Sequence, residues 1–377
     1  MRITIILGPF LPVPAVLGGA VEKVHSLLAK AYNSAGHDVT IISRKYGMFP
    51  DQEIIDGIRH IRVASFNSRS SLATNLALDF CYALRVSRIV PKSDITITNS
   101  FFLPLLLHHR TAGKLYVHVA RFPKHQMLLY SHVDRLQAIS RSVADEIIRQ
   151  APSLAPKVVT IGYPVPDEYF IANPVTPKKK IILFVGRIAR EKGVHVLIKS
   201  FASVFLSQRP DNITDWKLRI VGPHAVSQGG DGSVYFNELV RLAQPLGPAC
   251  EFVGPVFEEE KLIKEYQSAS VFVYPSLAEK GEALGLAPLE AMATGCAVIV
   301  SNLQCFDDYV RDGVNALKFD HKCQSPETDL ASKLLRLLMN PQLTHEISNN
   351  GNITAGKFRT FEIAREMLAD FEALVQK

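Results

Sequence analysis

Two α/β domains in tandem, each a parallel sheet flanked by helices, are predicted by three observations. The first is length: 377 residues exceed what one hydrophobic core usually serves. The second is alternation: short β-branched runs recur between stretches with helical apolar spacing, the pattern of a parallel sheet covered by helices. The third is a break over residues 163–180, where Pro164, Pro166, Pro174 and Pro177 precede three lysines and after which the alternation restarts.

Residues 3–7 are expected to form a buried first strand. A signal peptide is the weaker reading, because one basic residue precedes the run and prolines break the chain soon after it, at Pro9, Pro12 and Pro14. Further strands are predicted at 39–43, 59–63, 95–99, 115–119, 135–139 and 158–161, with helices at 20–35, 70–89 and 142–150. Beyond the break, strands are predicted at 181–185, 217–221, 250–253, 271–274, 297–301 and 316–319. They alternate with helices near 194–207, 235–243, 258–269 and 288–294. Phe361, Ala364, Leu368 and Phe371 give the segment 358–374 helical spacing. The expected organisation is a Rossmann-like domain over 1–172, a second over 173–357 and a terminal helix over 358–377. Binding is expected in the cleft between the domains, at the carboxyl ends of their strands.

The longest apolar run, 101–107, is seven residues and contains Pro104, whereas a membrane-spanning helix needs about 20. Five scattered cysteines, with no Cys-x-x-Cys, argue against a disulfide framework or zinc site and make a reducing cytoplasm the expected compartment. Residues 1–172 hold 19 Lys and Arg against 12 Asp and Glu, or +7, while the remaining 23 against 24 give −1. A basic first half suits an anionic partner such as acidic lipid headgroups or a phosphate-bearing acceptor; a solubilising surface charge is the plain alternative. No basic-aromatic repeat or zinc-finger spacing points to nucleic acid.

Two motifs carry chemistry. In Phe184-Val185-Gly186-Arg187 and Lys192-Gly193 a strand ends at a glycine, a loop brings two cations five residues apart, and a helix begins. Arg187 can grip phosphate oxygens as a fork and Lys192 adds a compact charge. Taken alone, the element is equally well a basic surface loop. Glu282 and Glu290 stand with seven residues between them. Glu282 falls in the loop after a strand, Pro288 suits a first helical turn, and Glu290 lies inside that helix. The peptide N–H groups of Ala283, Leu284, Gly285 and Leu286 then sit at a helix start, able to hold a diphosphate, with a carboxylate on either side to accept hydroxyls. The plain alternative is an acid placed to suit the helix dipole.

The second half resembles the retaining family-4 (group 1) glycosyltransferases of the GT-B fold, in which a Gly-Arg…Glu-Lys-Gly element and a Glu-x7-Glu element bind the donor. The resemblance spans nearly the whole chain. Leu17-Gly18-Gly19-Ala20-Val21-Glu22 resembles the family's amino-terminal glycine loop, Gly36-His37-Asp38-Val39 its Gly-His-Glu-Val segment, Ala138-Ile139-Ser140 the start of another helix, and Phe252-Val253-Gly254 a Phe-Leu-Gly strand end. The departures are Ala283 for glycine or proline, Leu284 for phenylalanine, Ala297 for proline, Pro223 for an acid and Phe361 for tryptophan. They bear on donor identity more than on fold.

The resemblance implies a GT-B fold, two Rossmann-like domains facing across a cleft, with the C-terminal helix crossing back to the first domain. It implies an acceptor-binding first domain and a nucleotide-sugar donor domain second. The expected activity is a hexosyltransferase reaction with retention, moving sugar from a nucleotide-diphosphate sugar to an acceptor hydroxyl in cell-envelope polysaccharide or glycolipid assembly. Arg187 and Lys192 would bind the diphosphate, Glu282 the transferred sugar, Glu290 the ribose, and Gly18 and Gly19 would let backbone approach the leaving group. His118 occupies the place of a histidine near the reacting sugar; a packed strand-end histidine is its plain reading. Arg121 and Lys124 come after it and are the candidate acceptor contacts. A UDP-sugar is favoured over GDP- or ADP-sugar, although the sequence does not fix the base. With no Asp-x-Asp anywhere, no metal and no other cofactor are expected. The expected partners are the donor, a glycan or lipid-linked acceptor and, at the inner face of the membrane, anionic lipid. The alternatives are a GT-B sugar-nucleotide epimerase, against which the paired glutamates argue, and a catalytically silent sugar-nucleotide-binding protein. A dinucleotide oxidoreductase would need Gly-x-Gly-x-x-Gly after the first strand, and Leu7-Gly8-Pro9-Phe10 does not supply it.

Overall fold

The structure is a computed structural model that describes residues 1–170, 178–207 and 213–376. The chain forms two compact units: Met1–Pro164 together with Thr360–Lys377, and Val165–Arg359. The boundary expected after residue 172 lies outside the described residues.

The first unit runs β1 (Arg2–Ile6), α1 (Ala20–Ser34), β2 (Asp38–Arg44), β3 (Gln52–Ile55), β4 (Ile58–Val63), α2 (Leu72–Ser87), β5 (Ile95–Thr98), α3 (Leu103–Leu106), α4 (His109–Ala112), β6 (Lys114–Val119), β7 (Arg135–Ala138), α5 (Arg141–Gln150) and β8 (Val158–Thr160). Its sheet has the order β3-β4-β2-β1-β5-β6-β7-β8, parallel except for β3. The predicted strands are present. The antiparallel β3 was not predicted, and its signal is local: Asp56 and Gly57 both take positive φ, 51° and 78°, as a two-residue hairpin turn requires. Ile3, Ile5, Ile97 and Leu136 are buried because helices cover both faces of the sheet.

The second unit continues with β9 (Lys179–Val185), α6 (Val194–Leu206), β10 (Lys217–Val221), α7 (Gly232–Ala243), β11 (Cys250–Gly254), α8 (Glu259–Ser268), β12 (Ala269–Tyr274), α9 (Leu286–Ala293), β13 (Ala297–Ser301), β14 (Leu317–Phe319), α10 (Pro326–Leu338) and α11 (Pro341–Gly356). The sheet order is β11-β10-β9-β12-β13-β14, all parallel. Helices α10 and α11 were not predicted. Their starts obey the usual rules, with Pro326 and Pro341 in the first turn and the Asn340 side chain accepting from Leu343 N–H at 3.0 Å.

The last helix, α12 (Thr360–Val375), belongs to the first unit. Phe371 meets the rings of Tyr116 and Tyr32 edge-on at 5.0 and 5.7 Å, and Asp370 takes the Arg135 fork, with Nε at 3.0 Å. Among the described residues no helix is long and apolar enough to cross a membrane.

In each sheet the chain winds outward in both directions from one central pair, β1 and β5 in the first unit and β9 and β12 in the second. The loops at the carboxyl ends of such a pair diverge and leave a crevice, the usual ligand position in open α/β sheets.

Candidate active site

At the switch point of the second unit, β9 ends at Val185 and the chain passes Gly186 and Arg187 into a 3₁₀ turn over Arg190–Lys192. Gly193, at φ 67°, then opens α6. A Cβ on Gly193 would lie 2.0 Å from the Pro275 carbonyl oxygen, so only glycine lets the loop after β12 cross here. Leu277 N–H donates to Glu191 O at 2.7 Å and ties the two loops together. The outcome is a buried ion pair. Lys192 Nζ donates to Glu282 Oε2 at 2.6 Å, with both side chains buried and Nζ 5.3 Å from the centre of the Tyr274 ring. Burial first, and then the Glu282 charge, pushes the Tyr274 hydroxyl well above its ordinary pKa. The resemblance assigns Lys192 to phosphate and Glu282 to sugar; only the fold joins them.

Arg187 is half-exposed. It donates to Gly229 O at 2.6 Å and to Glu191 Oε1 at 2.9 Å. Gly229 was not singled out in the sequence, yet a Cβ there would lie 2.9 Å from Arg187 Cδ.

Glu282 lies in the loop after β12, and Gly285, at φ 74°, caps α9. The Tyr309 hydroxyl, also missed in the sequence, bonds the carbonyls of Leu284 (3.2 Å) and Gly285 (2.9 Å). In a trans peptide the N–H points opposite to its C=O, so the N–H groups of Gly285 and Leu286 face away from Tyr309. Among the described turn and loop bonds, none is donated by the N–H groups of Ala283, Leu284, Gly285 or Leu286. These donors, at the positive end of α9 and beside the Lys192–Glu282 pair, form an anion-attracting surface. Glu290 sits further along α9, accepting from the Tyr266 hydroxyl at 2.8 Å.

The remaining expected residues belong to the first unit. Gly18 and Gly19 take φ of 78° and 108°, and Gly19 caps α1. A Cβ on Gly19 would meet Glu22 Oε2 at 2.2 Å. Glu22, the last residue of the glycine loop, is buried in the first turn of α1; burial raises its carboxyl pKa while its own backbone N–H and the Arg121 charge oppose the rise. Arg121 and Lys124 are exposed on the loop after β6.

His118 is buried on β6, stacked on Tyr163 with ring centres 5.4 Å apart. Gln137 donates its amide to Ile161 O at 2.6 Å, which turns its Oε1 toward His118 Nδ1. The ring therefore carries its proton on Nδ1, and Nε2 accepts from the Tyr163 hydroxyl at 3.0 Å. Burial lowers the His118 pKa from 6.5 to about 4. His118 is thus a neutral histidine with both nitrogens engaged by protein, and it would have to exchange Tyr163 for a sugar hydroxyl to touch substrate. Because its folded pKa lies below the unfolded one, the folded state gains stability that is complete above about pH 6.5 and is lost as pH falls toward 4, about 3 kcal/mol from this group. His25, buried against it, adds in the same direction. Chemical denaturation between pH 7 and 4 should show this loss and a shallower one in His118→Asn; equal slopes would contradict the assignment.

Among the described residues no group of three or more His, Cys, Asp or Glu is placed to hold a metal ion.

Two parallel-sheet units, the second with cations and free N–H groups at its switch point, make up a GT-B fold. Residues 166–353, nearly all of the second unit, match the family model for glycosyl transferases group 1. YtcC of Bacillus subtilis (strain 168) is 25% identical, covering 98% of this chain and 91% of that protein. Sucrose-phosphate synthase from Thermosynechococcus elongatus superposes with a TM-score of 0.78 at 21% identity, over 99% of each chain. Anabaena HepE in complex with UDP and glucose superposes with a TM-score of 0.72 at 15% identity, again over 99% of each.

Proposed function

We propose that the chain is a retaining, family-4 type hexosyltransferase that uses a nucleotide-diphosphate sugar. The observation that carries this reading is the buried Lys192–Glu282 pair, 2.6 Å apart, beside the N–H groups of 283–286 at the β9/β12 switch point. It offers a cation and backbone donors to a diphosphate and a carboxylate to sugar hydroxyls. Arg187 adds a fork from the β9 loop, and Glu290, further along α9, takes the ribose hydroxyls. The complex of the similarly folded HepE with UDP and glucose supports a uridine donor.

In the proposed reaction the bond from the anomeric carbon to the donor phosphate oxygen breaks while the acceptor oxygen bonds to that carbon on the same face. The acceptor proton passes to the departing diphosphate. Arg187, Lys192 and the α9 N–H groups stabilise the charge that builds on the leaving group. Glu282 orients the sugar and forms no covalent bond. The cationic side chains perform the neutralisation that a divalent ion would otherwise supply. The first unit, through Arg121 and Lys124, takes the acceptor, a glycan or lipid-linked hydroxyl of cell-envelope or glycolipid assembly on the cytoplasmic side.

The test is a panel of UDP-, GDP- and ADP-sugars scored by thermal shift and by nucleotide release, with and without chelator. One donor should stabilise the wild type and not Glu290→Gln, and release should survive the chelator. No response to any donor would refute the reading, and loss of release with chelator, restored by Mn²⁺, would refute its metal-free form.

A further inference from the structure

The first unit carries an apolar surface that its own fold leaves open. On α2, Leu72, Leu76 and Phe80 recur every fourth residue, so they share one face of the helix. Leu72 is 67% and Phe80 40% exposed. Rings back this row: Phe80 meets Phe102 at 5.3 Å, Phe102 meets Phe101 at 4.8 Å, and Phe101 meets the buried Tyr130 at 6.4 Å. Tyr130 closes the 3₁₀ turn Met127–Tyr130, whose Leu128 and Leu129 are 63% and 49% exposed. Large leucines and aromatics joined in this way mark an interaction site, whereas scattered ones do not.

Charge selects the partner. Residues 72–130, which bear the whole surface, contain seven Lys and Arg and two acids, Asp79 and Asp94. Asp79 is buried, accepting from Ser100 and Phe102, and Asp94 is paired with Arg2 at 2.6 Å; of the cations, Lys114 meets Asp134 from beyond the stretch at 3.8 Å. Arg88, the residue after α2, extends the Leu72–Leu76–Phe80 row at the same spacing. A second copy of this chain is disfavoured, because a two-fold interface would set these cations against themselves.

We propose that this surface docks the protein on an anionic lipid leaflet, with Leu128, Leu129, Phe80 and Leu72 entering the acyl boundary and the exposed cations of the same stretch, Arg88 among them, meeting the headgroups. It deepens the partner of the proposed reaction, giving a lipid-linked acceptor a common surface with the enzyme. The test needs neither donor nor acceptor, so its failure leaves the transferase reading intact.

Full-length protein is sedimented with vesicles of phosphatidylcholine alone and of phosphatidylcholine with phosphatidylglycerol, at low and high salt. Binding is expected only with the anionic vesicles and should weaken with salt. Arg88→Gln should lower the affinity about fivefold, and Leu128→Ser with Leu129→Ser about tenfold or more, with circular dichroism and the denaturant midpoint unchanged because these side chains are exposed. Absence of binding to anionic vesicles, binding indifferent to the leucine changes, or a concentration-dependent dimer abolished by the same changes would overturn the proposal.

Discussion

Lys192→Ala is expected to lower kcat/KM at least ~10²-fold, the scale of losing one electrostatic stabiliser of a transition state. The same change leaves Glu282 buried without the cation that meets it at 2.6 Å, and removing one member of a buried pair costs about 3–5 kcal/mol. Two effects of one substitution are separable. Lys192→Met combined with Glu282→Gln removes both charges and should recover most of the stability, since an uncharged pair leaves no isolated buried ion. Turnover should stay low. Arg187→Ala gives the contrast: its guanidinium is half-exposed, so stability should hardly change while the rate falls by a similar factor. Paired urea melts and initial rates on the three variants decide the matter. Near-normal turnover in both Lys192→Ala and Arg187→Ala would remove these residues from the chemistry.

Gly193→Ala should destabilise the second unit by about 2–4 kcal/mol, among the larger effects expected of one methyl group. Two causes act together. The residue sits at φ 67°, and the new Cβ would lie 2.0 Å from the Pro275 carbonyl oxygen. The backbone must therefore move, and it is the backbone that delivers Lys192 to Glu282, so activity should fall with stability. Gly254→Ala is the control. Gly254 has φ 84° but nothing within 4 Å of a Cβ, so it carries backbone strain alone, about 1–2 kcal/mol. Equal denaturant midpoints for the two variants would show that the close approach to Pro275 has no energetic weight.

Much of the fold was legible in residue order. Apolar β-branched runs identified the strands because a strand buried on both faces has no polar alternation to hide it. Pro288, Ser140 and the glycines marked helix starts because their chemistry acts within a turn or two. The same local rules held at Asp56-Gly57, Pro326 and Asn340-Pro341, and the elements missed there were available to them. Arg187, Lys192, Glu282 and Glu290 could be singled out because two short motifs confine them to loops and a helix start.

Residue order cannot contain which loops approach one another. Lys192 and Glu282 are ninety positions apart, and nothing local says that one will neutralise the other. Tyr309 reaches back to the carbonyls of Leu284 and Gly285, and Gly229 makes room for Arg187; both result from packing at the carboxyl edge of a sheet already formed. His118 makes the division plainest. Its strand position was readable from periodicity, but its charge state depends on Gln137, Tyr163 and the exclusion of water around them. Local sequence was enough for the two-unit α/β architecture and for the residue types that gather at the second switch point, because propensity and patterning act over a few residues. The pairing, burial and protonation of those residues arose only in the folded chain, because desolvation and close contact exist only once distant segments have met.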